Sequence, residues 1–297
     1  MNDSNLDTRG LDRKPILVTG SHRSGSTWVG QMIATSSRIG YVHEPFNVSH
    51  HPGICPMRVP YWFTYVTQEN ASTYRPALDK TLRFAYSPVA ELTAARRPGH
   101  LARVVVDGGH FLKYRLLRCR PLLKDPLALF ATEWLASEYD MDVVLLVRHP
   151  AAFAASVRHQ GYTHPFSHFL QQRRLMEDHL APFEQEIKAM EARSPEVIDE
   201  AALLWRLTTF MTLKLQSLHP DWLFYRYEDL AHDPKSSFRE IFGQLNLEFT
   251  REICDHIVRA TNPNISGWKE DLSPDEIRAL RSMVDELSSP LYTDAEW

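Results

Sequence analysis

Residues 14–27 contain the feature that most constrains the fold. The run KPILVTG (14–20) is apolar and β-branched and ends in Gly, which is typical of a strand. The segment STWVGQMIATS then places four apolar residues on one helical face: Trp28, Val29, Met32 and Ile33. Between strand and helix, GSHRSGST (20–27) offers backbone N–H groups and a helix dipole, which together bind phosphate oxygens. These residues predict an α/β fold with an anion site at its first strand-to-helix junction.

Strand and helix signals alternate along the rest of the chain. Three further runs are typical of strands: RVVVD (103–107), MDVVLLVRHP (141–150) and WLFYRYEDL (222–230). The second run is apolar almost throughout, as a central parallel strand should be. Alternating strands and helices imply right-handed crossovers, so we expect a central parallel sheet flanked by helices.

Helix starts are marked by capping residues. Asp125 followed by Pro126, and Asp233 followed by Pro234, each combine an N-cap with Pro at the first helical position. A helix is expected from Pro150, directly after the central strand. Ser273 with Glu276 forms a predicted capping box.

We expect one domain over residues 14–297, preceded by a flexible tail at 1–13. Although 297 residues exceed the usual size of one domain, no linker divides the chain. Residues 41–105 break into Pro-, His- and aromatic-rich pieces that are too irregular for one element. We interpret about 45–102 as an inserted region on the acceptor side, able to line a pocket.

Composition excludes several classes of protein. No apolar run reaches the roughly 20 residues of a membrane helix, so a soluble protein without a transmembrane segment is expected. The 3 cysteines are isolated, which favours a reducing, cytoplasmic setting. The net charge of −4 offers no broad attraction to nucleic acid. An anionic ligand must therefore be held by a few local basic groups.

The loop at 20–27 almost fits the nucleotide-triphosphatase pattern GxxxxGK[ST], but Ser26 stands where the lysine should be. That lysine neutralises the β- and γ-phosphates of ATP or GTP, so its absence argues against triphosphate chemistry. Arg23 supplies a charge earlier in the loop. We predict a three-layer P-loop-like fold whose loop binds an anionic group, and the missing lysine disfavours a nucleotide triphosphate.

Several segments resemble landmarks of the sulfotransferases that use 3′-phosphoadenosine-5′-phosphosulfate (PAPS). SHRSGSTWVGQM resembles their 5′-phosphosulfate loop, and LLVRHPAAFAASV resembles their 3′-phosphate motif. KDP (124–126), FYRYEDL (224–230) and GWKEDLS (267–273) resemble further landmarks in the family order. HEPFN (43–47) is most similar to the carbohydrate-acting and bacterial branches. The resemblance spans about 15–273.

The resemblance implies a donor site and an acceptor. The 5′-phosphosulfate would be held by Arg23, by backbone groups of Ser24, Gly25, Ser26 and Thr27, and by the hydroxyls of Ser26 and Thr27. Arg148 and Ser156 would hold the 3′-phosphate, and Tyr227 and Trp28 are candidates for stacking on adenine. The acceptor would be a hydroxyl of a carbohydrate, lipid or small molecule. Asn262-Pro263-Asn264 stands where some members have paired basic residues, so we do not expect that loop to supply basic contacts to the 3′-phosphate. Lys269 either replaces those contacts or is solvated.

The implied chemistry needs a cation and a base. Lys124 and Arg23 are the candidates to stabilise charge on the leaving phosphate, since the loose transition state places negative charge on its bridging oxygen. Glu44 is the preferred general base, with His43 and Asp125 as rivals. Asp125 is better explained as a helix cap. No metal is required, because side chains can balance the charge of the transferred group.

Two other functions remain open from the sequence. A P-loop kinase or nucleotide triphosphatase is favoured by the loop and by Asp107, which would end a strand like a magnesium-binding aspartate. The second possibility is a protein that binds a nucleotide without catalytic turnover. His43, His50, His51 and Cys55 match none of the usual zinc spacings.

Overall fold

The computed structural model describes residues 13–94, 99–161, 163–193 and 196–297. The predicted flexible tail at 1–13 lies outside the described residues, apart from Arg13.

The five strands form one sheet in the order β2-β3-β1-β4-β5. The strands are β1 Ile16–Gly20, β2 Ile39–His43, β3 Arg120–Lys124, β4 Asp142–Val147 and β5 Leu223–Arg226. The parallel pairing of β1 and β2 with β3, and the helices that flank the sheet, confirm the predicted α/β class with a central parallel sheet.

Helices account for most of the remaining chain. The α-helices are α1 Ser26–Ile33, α2 Ala71–Leu82, α3 Pro88–Ala94, α4 Gly99–Leu116, α5 Thr132–Tyr139, α6 Pro150–Gln160, α7 Ser167–Leu170, α8 Arg173–Leu175, α9 Glu184–Glu191, α10 Val197–Leu218, α11 Tyr227–His232, α12 Pro234–Gln244, α13 Arg251–Ala260, α14 Trp268–Asp271 and α15 Pro274–Ser288. Short 3-10 helices cover Pro126–Ala131, Ala181–Phe183 and Asp294–Glu296, and a π-helical turn covers Met176–Leu180. Within the described part of the chain, none of these helices combines the length and apolarity needed to cross a membrane.

The chain divides into two compact units. The first contains the residues up to Thr19 together with Thr27–Val144, and the second contains Gly20–Ser26 together with Leu145–Trp297.

In the first unit, strand register determines which residues meet at the carboxyl edge of the sheet. Tyr41 of β2 lies opposite Leu122 of β3, and His43 lies opposite Lys124. Val18 of β1 is the partner of Lys124 on the other side. All five residues of β3 are buried, including the Lys124 side chain. The ends of β2 and β3 are therefore adjacent.

In the second unit, α10 packs against α6 and α15, and α6 also packs against α14. Trp205 of α10 is buried, and its indole N–H donates to the carbonyl of Arg148 at 2.8 Å. Because this bond uses main-chain oxygen, it fixes the corner between β4 and α6 independently of the arginine side chain.

The predicted caps are confirmed. The side chains of Asp125 and Asp233 accept hydrogen bonds from the backbone N–H of Leu127 and Ser236, and each is followed by Pro. The capping box of Ser273 with Glu276 is present at the start of α15. Helix α6 begins at Pro150, as expected.

Two assignments were wrong. RVVVD (103–107) lies within α4 instead of forming a strand, so Asp107 does not end a strand. Segment 222–230 is only partly strand, because β5 ends at Arg226 and Tyr227 begins α11. The segment read as irregular, 41–105, also contains the end of β2, two helices and the start of α4.

Candidate active site

The loop between β1 and α1 depends on two glycines. Gly20 has φ 140° and Gly25 has φ 90°, values that suit residues without a Cβ. A Cβ on Gly20 would come within 2.1 Å of the Leu146 carbonyl oxygen, and one on Gly25 within 2.4 Å of the Tyr227 ring. Arg23, between them, also has a positive φ of 65°. The glycines allow a tight loop that leads directly into the N-terminus of α1, where backbone N–H groups lack helical partners.

Four residues predicted to bind the donor come together in the second unit. The Arg23 Nε–H donates to Ser156 Oγ at 2.7 Å. The Arg148 Nη1–H donates to the Arg23 carbonyl at 3.1 Å, and its guanidinium carbon lies 4.7 Å from the centroid of the Tyr227 ring. Two arginines, a hydroxyl and an aromatic face thus form one cluster where the β1–α1 loop contacts the junction between β4 and α6.

Two atoms of this region fit an anionic ligand. Ser24 Oγ and Arg148 Nε are buried and have no hydrogen-bond partner among the described residues. Buried polar atoms are normally paired, so both are available as donors to a ligand oxygen. Burial lowers the pKa of Arg148, but a guanidinium stays charged at neutral pH. The corner therefore offers a desolvated cation.

A cleft of about 220 Å³ opens beside this cluster. Its wall includes Arg148, Ala152, Ala155, Ser156, Asn262, Asn264 and Trp268. The two alanines share a helical face with Ser156 and are too small to fill the space. The two asparagines place amide groups, which can donate to phosphate, where some relatives are expected to have basic residues. The Lys269 ammonium lies 5.1 Å from the centroid of the Trp268 ring.

Sequence reasoning missed His149, which supports the Arg148 corner. Its ring is stacked on Trp268 at 5.0 Å and contacts Tyr292 and Trp297 edge-on at 4.7 and 4.5 Å between centroids. Burial lowers the pKa of His149 to about 3, so the ring is neutral. Its Nδ1 accepts the backbone N–H of Ala151 at 3.3 Å and thereby caps α6. Its position directly before Pro150, at N1 of a helix, was the available signal.

In the first unit, the two main catalytic candidates are bonded to each other. The Lys124 ammonium donates to Glu44 Oε1, and the Glu44 backbone N–H donates to the Lys124 carbonyl at 2.9 Å. The Asn47 amide donates to Glu44 Oε2 at 2.7 Å. Glu44 has φ 45°, a left-handed conformation that turns the chain directly after β2. Asn47 was not predicted, although its spacing of three residues from Glu44 was visible in HEPFN.

The environment keeps Glu44 ionised. Burial raises the pKa of Glu44, but the Lys124 charge and the hydrogen bonds from Lys124 and Asn47 outweigh it, so the pKa lies below its ordinary value. The His43 ring lies 3.9 Å from Glu44 Oε1. Burial and the Lys124 charge lower the pKa of His43. At neutral pH the site therefore contains a carboxylate at Glu44 and a neutral imidazole at His43.

Asp125 is a positioning group. Its side chain is fully buried, and both oxygens accept backbone N–H bonds, from Phe46 at 2.5 Å and from Leu127 at 3.0 Å. Burial raises its pKa to about 7. One carboxyl thus connects the turn at residues 43–46 to the segment that follows β3 through hydrogen bonds. Its inaccessibility favours Glu44 and His43 over Asp125 as a base.

The remaining predicted donor residues begin α1. Ser26 is buried, Thr27 is exposed and Trp28 is half-buried. Ser26 belongs to the second unit, whereas Thr27 and Trp28 belong to the first. Within the described ranges, no group of three or more His, Cys, Asp and Glu side chains is arranged to hold a metal ion.

Structural comparison finds sulfotransferases of low sequence identity. A sulfotransferase domain from the curacin biosynthetic pathway is 17% identical, with a TM-score of 0.46, over 94% of this chain and 97% of that chain. A sulfotransferase domain from the olefin synthase of Synechococcus PCC 7002 is 18% identical, with a TM-score of 0.43, over 95% of this chain and 97% of that chain. A sulfotransferase from Alicyclobacillus acidocaldarius is 15% identical, with a TM-score of 0.46, over 94% of each chain.

Sequence comparison identifies the family. No curated protein is significantly similar to the chain. The sequence model of the Sulfotransferase family matches residues 15–251, which is most of the chain and includes the loop, the Glu44–Lys124 pair and the Arg148 corner. The chain therefore belongs to the sulfotransferase family, whose members transfer sulfuryl groups.

Proposed function

We propose that the protein is a PAPS-dependent O-sulfotransferase, which transfers a sulfuryl group to a hydroxyl of a carbohydrate, lipid or small-molecule acceptor. The observation that carries the proposal is the cluster of Arg23, Arg148, Ser156 and Tyr227 in the second unit. A doubly anionic adenine nucleotide needs cations at two points and an aromatic face, and these residues supply that combination.

We assign the donor to two segments, the β1–α1 loop and the junction between β4 and α6. Arg148 and Ser156 bind the 3′-phosphate, supported by the unpaired Arg148 Nε and the adjoining cleft. The loop Arg23–Thr27 binds the 5′-phosphosulfate through backbone N–H groups, with the Ser24 hydroxyl as a further donor. Tyr227 and Trp28 contact the adenine. The segment 45–102 forms the acceptor side.

The proposed reaction is a displacement at sulfur. The acceptor oxygen forms a bond to sulfur while the bond between sulfur and the bridging oxygen of the 5′-phosphate breaks, and the electron pair stays on that oxygen. Glu44 accepts the acceptor proton. Lys124 and Arg23 stabilise the negative charge on the leaving oxygen. No metal is required.

The Lys124–Glu44 ion pair supports these roles. While Lys124 holds Glu44, the lowered pKa makes the carboxylate a weak base. In the proposed reaction Lys124 also interacts with the leaving oxygen, and any charge that it withdraws from Glu44 would raise the Glu44 pKa and make the carboxylate a stronger base.

The setting is proposed to be cytoplasmic. Cys55, Cys119 and Cys254 are all free thiols, and two of them are buried. Free thiols are typical of a reducing compartment.

The test compares melting temperatures with different nucleotides. At about 100 times its Kd, adenosine 3′,5′-bisphosphate should stabilise the fold by about 2.7 kcal/mol, which corresponds to roughly 5 °C. ATP with magnesium should give a smaller shift. Turnover is then measured as release of adenosine 3′,5′-bisphosphate from PAPS with a panel of hydroxylated acceptors. A shift with ATP–magnesium and none with the bisphosphate would refute the donor assignment, and donor binding without turnover on any acceptor would leave a binding module.

The position of Asp107 does not support the kinase or triphosphatase alternative. It needed Asp107 at the end of a strand, but Asp107 lies within α4. The loop alone, with Ser26 in place of lysine, does not favour a triphosphate.

A further inference from the structure

Exposed apolar side chains concentrate on α3 and α4 of the first unit, two helices that contact each other. Among the described residues, ten large apolar side chains are exposed, and seven of them lie between positions 89 and 117. We call these seven the α3–α4 surface: Val89, Leu92, Val105, Val106, Leu112, Leu116 and Leu117. Single exposed apolar residues are common, but their concentration in one part of the chain points to an interaction site.

The surface is organised by the geometry of α4. Phe111 is only 3% exposed and anchors the opposite side through ring contacts with Phe84 and Tyr86 at 5.7 and 5.8 Å. Val105, Leu112 and Leu116 are spaced by seven and four residues, which places them on one stripe of an α-helix. Their exposed fractions are 75%, 57% and 73%. A full stripe of α4 therefore points away from the core.

A glycine within the stripe confirms that it is open. Gly109 lies four residues after Val105, and a Cβ built on it would have nothing within 4 Å. The neighbouring Gly108, by contrast, would bring a Cβ within 3.3 Å of the Tyr86 ring. No described residue covers this part of the helix.

Basic residues border the stripe. At 100° per residue, Lys113 lies on one side of Leu112 and Leu116, and Arg115 lies on the other. The one acidic residue in α4, the half-buried Asp107, lies on the opposite side of the helix from the stripe, as does Arg103. This local excess of positive charge stands on a chain whose net charge is −4. An apolar stripe with cationic borders is typical of helices that lie at membrane interfaces.

We propose that the α3–α4 surface binds peripherally to an anionic lipid bilayer, with the stripe in the interfacial region and the basic residues on the lipid headgroups. Charge decides between the occupants. A twofold contact with a second copy would bring the two cationic borders together, whereas an anionic bilayer complements them. This inference does not rest on the proposed donor site or reaction, although Val89 and Leu92 also lie in the segment proposed to form the acceptor side.

The experiment is sedimentation of the full chain with vesicles of phosphatidylcholine, with and without phosphatidylserine. We expect the protein to bind the anionic vesicles and to be released from them by salt. Lys113→Gln lowers the affinity about fivefold, as expected for about 1 kcal/mol per charge near the surface. Leu112→Glu with Leu116→Glu lowers it about a hundredfold or more, because two apolar contacts are replaced by two anions.

The matched control is Leu218→Glu with Val258→Glu, which changes two side chains of similar exposure, 55% and 48%, outside the α3–α4 surface. This control variant should retain vesicle binding. Circular dichroism and melting curves establish that each variant folds, and Lys113→Gln tests the proposal alone if the double variant does not.

Three outcomes would overturn the proposal. They are absence of binding to anionic vesicles, equal loss in the control variant, and equal binding to neutral vesicles. A dimer in light scattering that Leu112→Glu with Leu116→Glu dissociates, without vesicle binding, would assign the surface to a second copy instead.

Discussion

Replacing Arg148 by Ala tests the proposed donor site most directly. The guanidinium uses Nη1 on the Arg23 carbonyl and retains Nε without a partner among the described residues. With its second terminal nitrogen, it can give a phosphate two charge-assisted hydrogen bonds, each worth about 1.5–3 kcal/mol. The lower end of that range for both bonds is about 3 kcal/mol, so Arg148→Ala should weaken binding of adenosine 3′,5′-bisphosphate about a hundredfold or more.

The assay is isothermal titration calorimetry with two ligands. Adenosine 5′-monophosphate lacks the 3′-phosphate, so its affinity should change much less in Arg148→Ala than that of the bisphosphate. Arg148→Lys keeps a charge but loses the planar fork and its stacking on Tyr227, and should give an intermediate loss. The control Arg251→Ala removes an arginine whose side chain is 96% exposed and should leave both affinities unchanged.

The fold should tolerate the change. Trp205 donates to the Arg148 carbonyl, which alanine retains, so the unliganded variant should show a cooperative melt. Equal weakening of both ligands would refute the 3′-phosphate assignment and would mean that Arg148 acts by holding the loop through the Arg23 carbonyl. Unchanged affinity for the bisphosphate would remove Arg148 from the site.

Three further predictions follow from the local geometry. Glu44→Gln should lower kcat about 10²-fold or more with an unchanged donor Kd, and near-normal turnover would transfer the role of base to another group. Gly25→Ala should destabilise the protein by about 1–3 kcal/mol and weaken nucleotide binding, because φ is 90° and a Cβ would meet Tyr227 at 2.4 Å. Gly243→Ala, in a helix with nothing within 4 Å, should instead be neutral or stabilising in the same denaturant titration. Asp125 has a folded-state pKa of about 7 against 3.8, so its contribution to stability is present below the lower value and is lost as pH rises toward the higher one. The unfolding free energy of the native chain relative to Asp125→Asn should therefore fall between about pH 4 and 7, and a pH-independent difference would contradict the raised pKa.

The parts of the fold that the sequence predicted correctly are those specified by adjacent residues. β4 and the start of α6 follow from an apolar run that ends at Arg148-His149-Pro150. The capping box at Ser273 is equally local. Each of these signals involves residues that are close together in the sequence, where capping side chains and proline act directly on the backbone.

The error at RVVVD has a physical cause. β-branched residues favour strands, yet Val105 and Val106 are 75% and 53% exposed and gain little from packing. The helix is stabilised by the burial of Phe111 against the rings of Phe84 and Tyr86, which come from a distant part of the sequence. Tertiary contacts of this kind override local propensity and leave no periodic signal within five residues.

The pairing of Glu44 with Lys124 required the register of the sheet. Sequence reasoning selected both residues but could not join them, because 80 positions separate them. The parallel pairing of β2 with β3 sets His43 opposite Lys124, so the next residue, Glu44, emerges beside the lysine. The bond from the Glu44 N–H to the Lys124 carbonyl continues that ladder by one step, and Asp125 then holds the turn through Phe46. A register shift of one residue would move every side chain of β2 to the opposite face and separate the pair. The proposed base and cation are thus placed by backbone hydrogen bonds, so two short and weakly marked strands set the positions of both side chains.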